Sequence, residues 1–185
     1  MSTDTLTEDQ VLRIERIIAT TPETLFGFWT KPEQLIKWWG PEGYTTPKYA
    51  MDVRPGGRWR TSMRRGDGTE LVVSGIYRLL DPPRRVSFTW GWDDEAGLRG
   101  HETEVTVTFE PVPGGTRMVL TQQAFIDKDS RDRHRQGWSS SFICLINSYA
   151  SGWSFLRFLL AIVNTSDSLP STPRDSLGSC RYLML

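Results

Sequence analysis

The sequence predicts an α+β fold in which a mainly antiparallel sheet of about six or seven strands packs against one long C-terminal helix. Three observations support this prediction. Two short helical segments follow the first strand, about six further strands succeed one another through short turns, and one helical stretch comes last. Strands and helices do not alternate along the chain, which argues against a parallel sheet built from βαβ units.

The first strand and the two short helices are marked by alternation and by helix-start signals. Apolar and charged side chains alternate over Val11–Ile18, which predicts a strand. A helix is predicted to begin at Thr20–Glu23, where a Thr cap precedes a Pro in the first turn. A second short helix is predicted to begin at Lys31-Pro32 and to extend to Trp39, because Gly40-Pro41 ends it.

Six further strands are separated by turns rich in Gly, Pro and Asp. They are predicted over residues 44–53, 58–64, 70–80, 86–92, 105–109 and 117–125. Their short connections predict a meander of antiparallel neighbours. The long helix is predicted over 131–150, because apolar side chains recur there at helical spacing. These side chains are Trp138, Phe142, Leu145 and Tyr149.

The chain is expected to consist of a disordered N-terminus at 1–10, one domain at 11–150 and a C-terminal extension at 151–185. The extension is apolar over 153–163 and rich in Ser and Pro after that. A span of this length is shorter than the roughly 20 residues that cross a bilayer, so no transmembrane segment is expected. The extension is interpreted as a poorly ordered tail. Packing on the domain, a homodimer contact and a place at an interface remain open.

Composition excludes several classes of function. The 22 basic and 22 acidic side chains balance, and a nucleic-acid-binding protein needs a basic surplus. Cys144 and Cys180 cannot form a disulfide framework, and no secretory signal is present, so a cytoplasmic location is expected. His101 and His134 lack metal-ligand partners at useful spacing, and no catalytic motif is complete. No metal, cofactor or catalytic residue is therefore predicted.

Large aromatic side chains supply the candidate ligand site. Seven of the eight Trp residues lie before residue 140. Strand alternation directs one set of side chains towards the long helix, which presents its own apolar stripe. The strand candidates are Trp59, Phe88, Trp90 and Val107, and the helix candidates are Trp138 and Phe142. Two interpretations remain open, because these side chains either line a ligand cavity or fill the core.

Candidate polar anchors and a candidate cavity entrance lie among the neighbouring residues. Five arginines could bind a carboxylate, but alternation places them on the outer face of their strand. They are Arg54, Arg58, Arg60, Arg64 and Arg65. Tyr77 is a better-placed anchor if its strand turns that side chain inward, which the pairs Val72-Val73 and Leu79-Leu80 leave unresolved. Of Trp38 and Trp39, one is expected to fill the core and the other to gate the cavity mouth.

A set of short motifs, in order, resembles a known superfamily over about residues 11–150. The motifs are Pro22-Glu23 with Phe26 and Trp29, Pro32–Leu35 running into Trp38–Pro41, Arg54–Trp59, Gly75–Tyr77, Pro82-Pro83 before Val86–Thr89, Thr106–Phe109, Gly114–Arg117 and Gly137-Trp138. They resemble the START-like helix-grip superfamily (SRPBCC). The branch is the one named after the C-terminal domain of the activator of the 90-kDa heat-shock protein ATPase.

The resemblance implies a curved antiparallel sheet that grips the C-terminal helix, with a cavity between them. Such a cavity often receives an apolar or amphipathic small molecule, so binding of a small hydrophobic ligand is the first hypothesis. A cavity enzyme of the cyclase or hydrolase type is the second. A chaperone-associated module is the third, although the separate domain that carries much of the activator's chaperone contact is missing from this chain. Fold alone does not decide among them.

Overall fold

A computed structural model describes residues 6–94 and 96–150, and its elements follow the predicted order. A 3-10 turn at Glu8–Gln10 precedes the first strand. The strands are β1 (Val11–Ile18), β2 (Tyr44–Met51), β3 (Arg58–Arg65), β4 (Glu70–Asp81), β5 (Arg85–Asp93), β6 (Thr103–Val112) and β7 (Gly115–Gln123). The helices are α1 (Pro22–Thr30), α2 (Pro32–Leu35) and α3 (Lys128–Ala150). The predicted extension at 151–185 lies outside the described residues.

The seven strands form one curved antiparallel sheet with the order β1-β7-β6-β5-β4-β3-β2. From β2 to β7 this order follows the chain, which confirms the predicted meander. β1 pairs instead with β7, so that Val11 lies opposite Gln123 and Ile18 lies opposite Thr116. β1 and β2 are therefore the two edges of the sheet, and the segment containing α1 and α2 connects one edge to the other. This crossing carries Trp39 onto β3, where its indole N–H meets Thr61.

α2 is shorter than the sequence predicts. The second helix was expected to extend to Trp39, but the regular helix ends at Leu35 and hydrogen-bonded turns continue the chain. The Trp38 indole N–H donates to the Phe28 carbonyl at 3.0 Å and holds this segment against α1. Gly40 then adopts a φ of +109°, which a residue with a side chain rarely adopts. The chain therefore turns at this glycine, but the helix itself ends five residues before it.

α3 packs its apolar face onto the sheet and begins three residues earlier than expected. The Asp127 carboxylate accepts a hydrogen bond from the Ser130 N–H at 2.7 Å, which caps the helix. Near its other end, the Tyr149 hydroxyl donates to the Ala19 carbonyl at 3.1 Å. α3 is thus fixed both to the segment after β7 and to the segment after β1. Its fully buried apolar side chains include Trp138, Phe142 and Leu145.

The turn at Glu8–Gln10 contacts the long helix α3. The Gln10 side chain accepts a hydrogen bond from the Thr7 N–H at 3.1 Å. Arg131 of α3 donates to the Glu8 carbonyl at 2.8 Å and to the Asp9 carboxylate at 3.2 Å. These contacts tie the turn at Glu8–Gln10 to α3, and disorder over 1–10 stays a prediction. Among the described residues, no helix combines the length and hydropathy that a membrane span requires.

Candidate functional site

A pocket of about 650 Å³ lies beside the hairpin that joins β3 to β4, and we call it the hairpin pocket. Its walls come from the loop after α2, the β3–β4 hairpin, the end of β5 and the first half of α3. Its floor is apolar and consists of Trp39, Met63, Trp90 and Trp138, all of which are buried. Charged side chains stand at its rim, namely Glu70, Asp93, Asp94 and Arg133.

Three of the nine ligand-site candidates line the hairpin pocket: Trp39, Trp90 and Trp138. The other six are buried in the core beside it. They are Trp38, Trp59, Tyr77, Phe88, Val107 and Phe142. The ring centroids of Trp59 and Phe88 are 5.6 Å apart, and those of Trp138 and Phe142 are 5.9 Å apart. At such distances the rings touch one another, so these six side chains pack as core.

The polar candidates from the sequence lie outside the hairpin pocket. Tyr77 does turn inward and is 2 % exposed, and burial raises the pKa of its hydroxyl. It packs against Phe88 instead of reaching the pocket. The five arginines are all exposed, and the alternation of β3 predicts this for Arg58, Arg60 and Arg64. Four of them form ion pairs, which join Arg54 to Asp52, Arg60 to Asp93, Arg64 to Glu70 and Arg65 to Asp67.

Several residues of the hairpin pocket were not among the sequence candidates. Trp92 lies two residues after Trp90, on the same side of β5, and this alternation was the available signal. His134 precedes Trp138 by four residues, a spacing that places both on one face of α3. The same spacing relates Arg133 to Gly137. Met63 shares its face of β3 with buried Trp59 and Thr61. That these residues line the pocket depends on tertiary contacts, which spacing along the sequence does not predict.

Hydrogen bonds fix two of the pocket indoles. The Trp138 N–H donates to the Gln122 side-chain oxygen at 2.7 Å, and the Gln122 amide donates to the Thr103 hydroxyl at 2.8 Å. The Trp39 N–H donates to the Thr61 hydroxyl at 2.9 Å. Gln122 and Thr61 are buried, so both N–H groups point into the protein. The two rings therefore border the pocket with their carbon atoms.

A family model described as "Activator of Hsp90 ATPase homolog 1-like protein" (AHSA1) matches residues 19–149. The chain belongs to this family. Its helix-grip fold is that of the superfamily which the sequence motifs resemble. No curated protein matches the chain.

Solved structures agree with this assignment. The crystal structure of the AHSA1 protein from Silicibacter pomeroyi is 36% identical, with a TM-score of 0.72, and the match covers 77% of this chain and 99% of that one. A protein from Rhizobium leguminosarum is 26% identical, with a TM-score of 0.66 and coverage of 76% and 94%. A protein from Nitrosomonas europaea shares the fold. It is 20% identical, with a TM-score of 0.67 and coverage of 80% and 98%.

In this AHSA1-family chain, His134 is a neutral imidazole with both nitrogens engaged. An indole N–H can only donate, so Nε2 accepts from Trp92 at 3.1 Å. A carbonyl can only accept, so Nδ1–H donates to Ser130 at 2.8 Å. Burial lowers the pKa of His134, the bond to Ser130 partly opposes this, and the charge of Arg133 lowers it further. Both ring nitrogens of His134 therefore already have hydrogen-bond partners.

The rim carboxylates of the hairpin pocket are engaged as well. The hydrogen bonds from Arg64 and Lys48 hold the pKa of Glu70 below its ordinary value. Asp93 binds Arg60 at 2.9 Å and the Ser74 hydroxyl at 3.0 Å. Within residues 6–94 and 96–150, no group of three or more His, Cys, Asp and Glu side chains could hold a metal ion. The chemistry that the described pocket offers is apolar contact within a charged rim.

Proposed function

We propose that the hairpin pocket binds a small apolar or amphipathic molecule. The observation that carries this proposal is the floor of the pocket, where three buried indoles border about 650 Å³ of space. Ligand sites of small molecules commonly have this size and this apolar lining, with a few polar groups at the edge. The site lies beside α3 at one end of the sheet and not among the core aromatics.

Apolar contact alone supports only weak binding in this pocket. A ligand that buries about 300 Å² of apolar surface gains about 7 kcal/mol, at about 25 cal/mol per Å². Association costs at least about 4 kcal/mol of this gain. The remainder, at most about 3 kcal/mol, corresponds to a dissociation constant of about several millimolar or weaker. Tighter or selective binding therefore requires a polar contact from the rim.

The other hypotheses remain predictions. A cavity enzyme requires an ionisable group with an unengaged atom at the pocket. Among the described pocket residues, His134, Glu70 and Asp93 already have hydrogen-bond partners. The family description supports the prediction of a chaperone contact. The homodimer is a prediction that follows from the sequence of the extension.

Gly137 allows the pocket to be closed without damage to the core. It lines the pocket, and a Cβ placed there would meet no atom within 4 Å beyond its own helical surroundings. A Gly137→Phe variant should therefore fill the space, and loss of a helical glycine should maintain or raise stability. We expect wild-type indole N–H signals of Trp39 and Trp138 to shift saturably in NMR titrations with octan-1-ol or 1-naphthol. Gly137→Phe should weaken this binding about tenfold or more.

Two variants control this experiment. Gln136→Phe adds the same ring at the neighbouring, exposed position of α3 and should bind as the wild type does. Gly137→Ala should retain binding because it adds only one carbon. The proposal is refuted if no probe moves the wild-type signals. It is also refuted if Gly137→Phe, folded and stable, binds as tightly as the wild type.

A further inference from the structure

We propose that the ligand of the hairpin pocket is an amphipathic monocarboxylate, bound with its carboxylate at Arg133 and its apolar part on Trp39, Trp90 and Trp138. This inference rests on the proposed binding function and specifies the class of ligand. A guanidinium presents a planar fork of donors that matches the two oxygens of a carboxylate.

Arg133 is an unengaged cation at the rim. The structure shows no hydrogen bond or ion pair from its guanidinium to any described residue, although it lines the pocket. The arginines that neighbour the pocket from β3 are already occupied. Arg60 binds Asp93 at 2.9 Å, and Arg64 binds Glu70 at 2.8 Å. A carboxylate that enters the pocket therefore meets Arg133 without having to displace a partner from residues 6–94 or 96–150.

The acidic side chains at the rim do not exclude an anion. Glu70 is neutralised by Arg64 and by Lys48, whose ammonium lies 3.3 Å away. Asp93 is neutralised by Arg60. Asp94 is exposed and accepts hydrogen bonds from the Leu98 N–H within its own loop. Glu70 and Asp93 are thus paired with cations from beside the pocket, while the positive charge of Arg133 is available to a monoanion at the rim.

The position of Arg133 allows one ligand molecule to contact both its guanidinium and the apolar floor of the hairpin pocket. It lies on α3 one residue before His134, and its charge is among the causes that lower the pKa of that buried ring. Gly137, four residues later, lines the same pocket and leaves open space between the rim and Trp138. The apolar chain of an amphiphile would occupy this space, and its charged end would remain at the rim near solvent.

The test compares octanoate with octan-1-ol, which share an apolar chain and differ in charge. At low salt and neutral pH, we expect the wild type to bind octanoate about fivefold or more tightly than octan-1-ol, as judged by calorimetry and by indole N–H shifts. Arg133→Gln should remove this preference and leave the affinity for octan-1-ol unchanged. Arg133→Lys should retain part of it, because the charge remains while the fork is lost. Added salt should weaken octanoate binding only.

Arg58→Gln is the matched control. Arg58 is also exposed and without an ion-pair partner among the described residues, but it begins β3 and does not line the pocket. The Arg58→Gln variant should keep the preference for octanoate. If Arg58→Gln and Arg133→Gln both lose this preference, the effect is one of general charge, and the assignment to Arg133 is overturned. If the wild type binds octanoate and octan-1-ol equally, the anion proposal is overturned but the proposed binding function is not. Binding of neither probe would overturn both.

Discussion

At the residue scale, the chemistry of the hairpin pocket depends on which of its polar atoms already have hydrogen-bond partners. His134 carries its proton on Nδ1 because the Trp92 N–H occupies Nε2. A second proton on Nε2 would face that N–H, so the indole and burial both favour the neutral ring. This geometry also explains why the sequence could not identify the pair. The two residues are 42 positions apart, and no spacing rule relates a strand residue to a helix residue at that distance.

Replacement of Trp92 tests this arrangement directly. Trp92→Phe keeps an aromatic ring but removes the N–H that opposes protonation of Nε2. We therefore expect the pKa of His134 to rise, which an NMR titration of its imidazole protons will show. A His101→Gln variant assigns the two histidine signals, because His134 is the other histidine in the chain. A titration midpoint that stays or falls in Trp92→Phe would contradict the role given to this hydrogen bond.

At the scale of elements, two glycines illustrate opposite demands on the backbone. Gly75 lies in β4, where a Cβ would stand 1.8 Å from the Thr89 carbonyl oxygen and 2.6 Å from the Trp59 indole nitrogen. Gly137 lies in α3, where a Cβ would meet no atom within 4 Å beyond its own helical surroundings. The first glycine permits close approach of β4 to β5, while the second leaves space in the pocket.

The same substitution should therefore have opposite effects at these two positions. Gly75→Ala should lower the free energy of unfolding by about 3 kcal/mol or more, because backbone would have to move. Gly137→Ala should raise it by about 0.5 to 1 kcal/mol through helix propensity. Urea denaturation of both variants measures the difference. A mild effect at Gly75 would show that the β4–β5 pair adjusts more readily than its geometry indicates.

The sequence predicted regular elements well and irregular ones poorly. In β3 the alternation of Trp59, Thr61 and Met63 with outward-facing residues predicted the correct buried face. In β4 the register shifts between Tyr77 and Leu79, and this bulge changes the alternation. For that reason the orientation of Tyr77 was unresolved from sequence. A bulge depends on the partner strand, so the residues of one strand do not specify it.

At the scale of the whole molecule, the fold class followed from local signals and the pocket did not. Turn residues and alternation predicted the meander from β2 to β7. The pairing of β1 with β7 carries α1 and α2 across to β3, and this long-range step places Trp39 at the pocket. The nine aromatic and apolar candidates lie in one buried cluster, and their role as a ligand site stays a prediction. Which three of them border open space depends on how the loops and α3 close over the sheet.

Stability should depend on acid in two stages that belong to different ionisable groups. The pKa of His134 is lowered by burial, so below its ordinary value of about 6.5 the unfolded chain binds a proton that the folded chain does not. The free energy of unfolding should therefore fall first as pH drops below about 6.5. Hydrogen bonds from Arg64 and Arg99 lower the pKa of Glu70 and Glu102, whose ordinary value is 4.5. Their contribution is present above about 4.5 and is lost below it.

His134→Gln separates the two stages. The glutamine side chain can accept from Trp92 and donate to the Ser130 carbonyl, yet it does not titrate. In urea denaturation from about pH 8 to about pH 3, the wild type should lose stability in both stages, and the variant should lose it only in the lower one. Because the variant preserves both hydrogen bonds, a first stage that persists in it would assign the proton uptake to another group. A wild type with constant stability down to about pH 5 would show that the buried imidazole carries no penalty on protonation.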